Sequence, residues 1–154
     1  MVDALRALGL AYAFDYMNRT NNYYDMVERL EGHIRRWEET IDRLQRARTR
    51  VSENIESNTL RLSKAETYLD KLSSPSSIQW VERQKSTAEN SHAPERADAA
   101  RLKIDDYESR LSDTINRVDR LRDWISDGET KLREIDSRIA TVEDKISSAK
   151  SKLR

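Results

Sequence analysis

From Val27 onward, apolar residues recur at alternating steps of three and four: Val27, Leu30, Ile34, Trp37, Ile41, Leu44, Val51, Ile55, Leu62, Ala65, Leu69 and Leu72. Only Arg48 and Asn58 interrupt the series. A repeat averaging 3.5 residues keeps a single seam facing a partner helix when the helices supercoil left-handedly. As one helix the series would be about 70 Å long, at about 1.5 Å per residue. The pattern returns in the second half with Ile104, Tyr107, Leu111, Val118, Leu121, Ile125, Leu132, Ile135, Ile139, Val142, Ile146, Ala149 and Leu153. Thr114 and Gly128 are the interruptions there, and Ala97 and Ala100 extend the series backwards.

Between the halves, Ser73-Ser74-Pro75-Ser76-Ser77 stops the first helix, and Pro75 after Ser74 is placed to open a short new one carrying Ile78, Val81 and Ala88. Asn90 to Pro94 is a second break, with Pro94 early in the returning helix. Two seams of similar length bury one another most simply by folding back. The expected fold is therefore all-α: a long antiparallel two-stranded coiled-coil hairpin with a short N-terminal helix and a helical tip. Residues 1–22 form the base, 23–72 the first arm, 73–96 the tip and 97–154 the second arm. In the base, Asp3 can cap a helix bearing Leu5, Leu8, Tyr12 and Tyr16, and the polar run Asn18 to Asn22 is expected to close it.

The interruptions suggest a register. Arg48 at an a position opposite Gly128 at a d position would set the largest intruder in one seam against the missing side chain in the other. The same alignment puts Trp37 opposite Ile139, Val27 opposite Ala149 and Leu72 opposite Ile104, with the Arg48 guanidinium sent towards Trp124, Asp127 or Glu129. One heptad lower, Arg48 would face Leu121 and Gly128 would leave a gap beside Ile41, burying a charge poorly and opening a cavity. Arg48, Gly128, Asn58 and Thr114 are thus the expected register-setting residues.

Composition narrows the class without changing it. Hydrophobic and charged residues each make up 36% of the 154, too little apolar material for a thick core and enough for a seam. Lys plus Arg equals Asp plus Glu at 28, so no net field draws the chain to nucleic acid or an anionic membrane, and neither is an expected partner. With no cysteine there is neither a disulfide framework nor a thiolate nucleophile. The apolar stretch from Leu5 to Met17 is broken by Arg6 and Asp15 and is too short to span a bilayer or serve as a clean signal peptide, which gives an intracellular, cytoplasmic or assembly-bound expectation.

Candidate chemistry is sparse. Arg43, Arg46, Arg48 and Arg50 form an acid-free ridge that Asp127, Glu129, Glu134 and Asp136 can neutralise across the hairpin. Glu38-Glu39 and Asp105-Asp106 are adjacent pairs pointing about 100° apart, unsuited to acid–base work, and His33 and His92 lack convergent partners for a metal. No enzyme activity, cofactor or metal is expected. The surplus lies in aromatic residues: Tyr12, Phe14, Tyr16, Tyr23 and Tyr24, five of the ten in the chain, sit near the N-terminus, with Trp80 in the tip and Trp124 beside the seam. Such rings anchor protein partners, or they cap the seam as a small three-helix base. The reading is a non-catalytic structural or adaptor coiled-coil protein holding protein partners through base and tip. In length and heptad pattern the hairpin is similar to the small stalk proteins of flagellar and type III secretion systems, which would imply an export-apparatus escort or stalk-type chaperone. Further copies of the same chain, in a fibre, coat or virion component, are the remaining alternative.

Overall fold

The computed structural model describes the backbone of residues 2–154 and, outside residues 1–8 and 11–15, their side chains. Three helices account for nearly all of it: α1 (Val2–Leu72), α2 (Pro75–Asn90) and α3 (Pro94–Leu153). The fold is an all-α helical hairpin in which α1 packs antiparallel to α3, and two compact units are distinguished along it.

In the unit formed by residues 1–48 and 134–154, Ile34, Ile146 and Ala149 are buried, and Leu30, Trp37, Ile41, Val142 and Leu153 pack against them. In the unit formed by residues 49–133, Ala65, Val118 and Leu121 are buried, with Leu62 and Leu69 against them. Every one of these residues is a seam position of the heptad series. A two-stranded seam covers each side chain from one direction only, so most stay half-buried. Leu121, 2% exposed, is the largest described side chain to be fully enclosed. Its burial contributes roughly 1.5–3 kcal/mol.

The N-terminal segment departs from expectation. No turn separates a short helix from the first arm, because α1 runs unbroken through Asn18 to Asn22. Asparagine costs only several tenths of a kcal/mol per residue in a helix. The run Asn18-Arg19-Thr20-Asn21-Asn22 contains neither proline nor glycine to force an exit, and the Thr20 hydroxyl donates back to the Tyr16 carbonyl at 2.9 Å, a helix-compatible bond. The three-helix base is excluded with the turn, since an unbroken helix cannot fold back on itself.

The register also differs. The space at Gly128 is filled by Ile55, one heptad beyond Arg48: a Cβ built on Gly128 would lie 2.8 Å from Ile55 Cγ1 and 3.2 Å from its Cδ1, with Val51 Cγ1 at 4.0 Å. Ala149 packs with Ile34 in place of Val27. Arg48 needs no hole, because a long stem can leave the seam sideways and carry its charge to water. Its Nε donates to Asp136 Oδ1 at 2.7 Å, not towards Trp124, Asp127 or Glu129, and both side chains are about half exposed. That hydrogen bond, and then the charge of Asp136, raise the Arg48 pKa above its ordinary value. The missing side chain at Gly128 is matched to a bulky β-branched neighbour, not to the arginine. Of the other two expected register residues, Asn58 is half-buried and Thr114 is buried, its hydroxyl donating to the Arg110 carbonyl at 2.6 Å.

The serine-rich break does not reverse the chain. Ser74 caps α2, its hydroxyl accepting from the Ser77 amide at 3.3 Å, and Pro75 occupies the first turn, where its missing N–H costs nothing. Along α3, the partners of successive residues run in one direction. Arg101 lies beside Ala88, Tyr107 beside both Trp80 and Leu72, Arg122 beside Glu66, and Gly128 beside Ile55. Both α2 and the adjoining part of α1 are thus antiparallel to α3, and α2 continues the first arm past a two-residue interruption. Val81, Ala88, Ala97 and Ala100 are the buried residues of this stretch. Reversal occurs at Ser91–Ala93, where the Ser91 amide donates to the Thr87 carbonyl at 3.1 Å and its hydroxyl accepts from the Ala93 amide at 3.2 Å.

Candidate functional site

Of the N-terminal aromatic group, the side chains of Tyr12 and Phe14 lie outside the described residues. Tyr16, Tyr23 and Tyr24 are 70%, 53% and 65% exposed, and Leu10, Met17 and Met26 are exposed beside them. The rings of Tyr23 and Tyr24 meet edge to face at 6.0 Å. Tyr16 and Tyr23 stand in heptad phase with Val27, Leu30 and Ile34, so they continue the line of the seam, while Leu10, Met17 and Tyr24 form a second line at seven-residue spacing. Two adjacent apolar lines make a wider face than one partner helix covers. The helix positions these side chains rigidly and leaves them wet.

The two tryptophans separate in role. Trp80 is half-buried, its ring centroid 6.4 Å from that of Tyr107. Tyr107 in turn donates from its hydroxyl to the Leu72 carbonyl, the end of α1, at 2.5 Å. This pair packs the junction of the three helices and leaves little of Trp80 for a partner. Trp124 is 53% exposed on the flank of α3. His33 stacks on Trp37 with centroids 5.5 Å apart, and its Nδ1 lies 3.0 Å from Arg36 Nη2, a local arrangement of the helix surface. His92 sits exposed at the chain reversal. Among the described residues no group of three His, Asp or Glu side chains is placed to hold a metal ion, and no helix is long and apolar enough to cross a membrane.

Charge is sorted around the heptad, which zero net charge conceals. Taking Val27 and Ile34 as a positions of α1, and Gly128 as a d position of α3, residues at e meet across the hairpin: Glu38 with Lys150 at 3.9 Å and Glu66 with Arg122 at 3.1 Å. On the opposite flank the c and g positions line open grooves. In the unit of residues 49–133 one groove is lined by Arg61, Lys64, Tyr68, Asp113 and Arg117 over Ala65 and Thr114. The pKa of Arg110 on this flank is raised, first by hydrogen bonding to Tyr68 and then by the charge of Asp106, with which it pairs at 3.1 Å. In the other unit a groove over Leu30 and Trp37 is edged by Lys145, Lys152, Thr141, Ser148 and Asp144. Within that unit, over residues 27–48 and 134–153, the c and g positions carry Arg29, Arg36 and Arg43 of α1 and Arg138, Lys145 and Lys152 of α3 against a single acid, Glu134. Over the same residues the b, e and f positions carry eight acids, among them Glu28, Glu31, Glu38, Asp42, Asp136 and Glu143, against Arg35, Arg46 and Lys150. Reading charges by heptad position instead of by total exposes this division.

No protein-family model, no curated protein and no solved structure matches the chain.

Proposed function

We propose that this protein is a non-catalytic adaptor or structural component that holds protein partners on the aromatic N-terminal stretch of α1. One observation carries the reading: Tyr16, Tyr23 and Tyr24, with Leu10, Met17 and Met26, stand exposed on a helix whose apolar line continues that of the seam. Exposed aromatic and methionine side chains in a contiguous line are costly to leave in water and are the residue types that anchor interfaces. A rigid helix adds little ordering cost when a partner binds, which favours docking over a loose tail. The non-catalytic part of the reading is supported by the open form of the grooves, which offer no enclosed site where titratable groups converge.

The test is removal of residues 1–20. Association with partners captured by the full chain is expected to be lost, while helical circular dichroism per residue and the melting transition of the α1–α3 seam stay nearly unchanged. Intact partner binding by the shortened chain, with or without loss of stability, sinks the docking reading.

A further inference from the structure

The sorted charge of the unit formed by residues 1–48 and 134–154 has a geometry that answers itself. Its cationic flank presents Arg29, Arg36 and Arg43 on α1 and Arg138, Lys145 and Lys152 on α3, all exposed. Among the described residues none of these six is in an ion pair within the chain, whereas Glu38 and Asp136 on the acidic flank each already hold a cation. We infer that the cationic flank of this unit docks on the acidic flank of a second copy of the chain, so that copies associate side by side.

Three features select a second copy as occupant. The first is complementarity of sign on one and the same unit: over residues 27–48 and 134–153 the c and g positions hold six cations and one acid, while the b, e and f positions hold three cations and, apart from Asp144 at the edge of the cationic groove, seven acids. The second is pitch. The cations recur every seven residues along each helix (Arg29, Arg36, Arg43 and Arg138, Lys145, Lys152), and so do the acids (Glu31 and Glu38; Asp136 and Glu143). Seven residues are about 10.5 Å of helix, so successive cations on one flank and successive acids on the other carry the same spacing. The third is the edge of the groove, where Thr141 lies between Arg138 and Lys145 along α3 and Ser148 between Lys145 and Lys152, small side chains over which a neighbouring helix can lie closely.

Single exposed ion pairs contribute 0–1 kcal/mol and are screened by salt, so the association depends on several acting in register and weakens as ionic strength rises. Because two different flanks are joined, the contact is heterologous and does not close on itself; a third copy can add to the second. This association uses residues apart from the aromatic stretch and stands independently of the docking reading. Deleting residues 1–20 leaves it intact.

The experiment is analytical ultracentrifugation of the full chain with two charge-reversed variants. The cation-flank variant is Arg36→Glu with Arg43→Glu and Lys145→Glu. The acid-flank variant is Glu31→Lys with Asp42→Lys and Glu143→Lys. At about 0.02 M salt the unsubstituted chain is expected to gain mass with concentration, and at about 0.5 M salt to sediment as the smallest species. Each variant alone is expected to lose association by about ten-fold or more while keeping its helical circular dichroism. An equimolar mixture of the two is expected to associate again, since one variant carries acids on both flanks and the other cations on both. If the unsubstituted chain does not associate at low salt, or if either variant associates as well as it does, the proposal is overturned. Failure of the mixture to associate overturns it too. An unassociated chain whose cationic flank binds a single-stranded oligonucleotide in the same salt range would assign that flank to a polyanion instead.

Discussion

Gly128→Ala distinguishes the observed seam from its alternatives by the sign of a stability change. In an exposed helix, replacing glycine with alanine stabilises by about 1 kcal/mol, because alanine loses less backbone freedom on folding. At position 128 the new methyl would meet Ile55 Cγ1 at 2.8 Å, closer than carbon atoms tolerate, and Cδ1 at 3.2 Å, a tight contact. Cγ1 is near the root of the isoleucine side chain and cannot swing clear without leaving its rotamer or shifting a helix. Overpacking of this kind costs about 1–3 kcal/mol. The clash outweighs the propensity gain, and a net loss of about 1 kcal/mol is expected. In an Ile55→Ala background the obstruction is gone, so the same glycine replacement should stabilise by about 1 kcal/mol or more, from propensity and from partial filling of the space. The four chains form a double-mutant cycle with a coupling of about 2 kcal/mol, read from urea and thermal unfolding followed by circular dichroism at 222 nm. A rise in stability for Gly128→Ala alone would refute the packing of Ile55 on Gly128. A flexible arginine stem opposite the glycine, as in the alignment with Arg48, would yield that opposite sign.

Register can be read covalently as well. In this cysteine-free chain, Ile34→Cys with Ala149→Cys should form a disulfide under mild oxidation, seen as a mobility shift on non-reducing gels, and Val27→Cys with Ala149→Cys should not. Leu121→Ala should cost about 2–4 kcal/mol of unfolding free energy, against less than about 0.5 kcal/mol for Leu60→Ala, which is 59% exposed on the outer face. Tyr107→Phe should lower stability by about 1 kcal/mol in the same unfolding assay by leaving the Leu72 carbonyl without its donor, and Ser74→Ala should cost a similar amount by removing the cap of α2.

What could be read from the chain depended on whether the governing physics was local. The seam was legible because a 3.5-residue repeat has one structural meaning, and residues from Leu30 to Leu153 occupy the expected side of their helices. The helix starts at Pro75 and Pro94 were legible because proline acts within one turn, at Pro75 with the cap of Ser74 before it. The register was not, because it rested on a single pairing argument, that Arg48 would seek the gap at Gly128. The gap suited Ile55 equally, and the arginine had a route out to Asp136. The run Asn18 to Asn22 misled in the other direction: polar composition resembles a turn, but without proline or glycine its helical cost is small. The exposed aromatic side chains were recognised by type, while their presentation on an unbroken helix was hidden by the turn assigned in front of them. Sorting of charge went unseen because only its sum was taken.

The reversal at Ser91–Ala93 bears on how the chain finds its structure in time. Ala88 and Ala97, buried on either side of it, are separated by only a few residues, whereas Leu30 and Leu153 are separated by most of the sequence. Closing a short loop sacrifices far less chain entropy than closing a long one, and proteins assembled from near neighbours fold fast. The pairing of α2 with the start of α3 is therefore the expected nucleus, and the seam zips away from it one heptad layer after another. Such a zipper decides its alignment at the first layers. Once α2 lies on α3 and Tyr107 has met Leu72, every later layer inherits that choice, including the one that places Ile55 over Gly128. Lengthening the three-residue connection is therefore the change expected to loosen the alignment of α2 on α3, while substitutions near Leu30 are expected chiefly to speed unfolding.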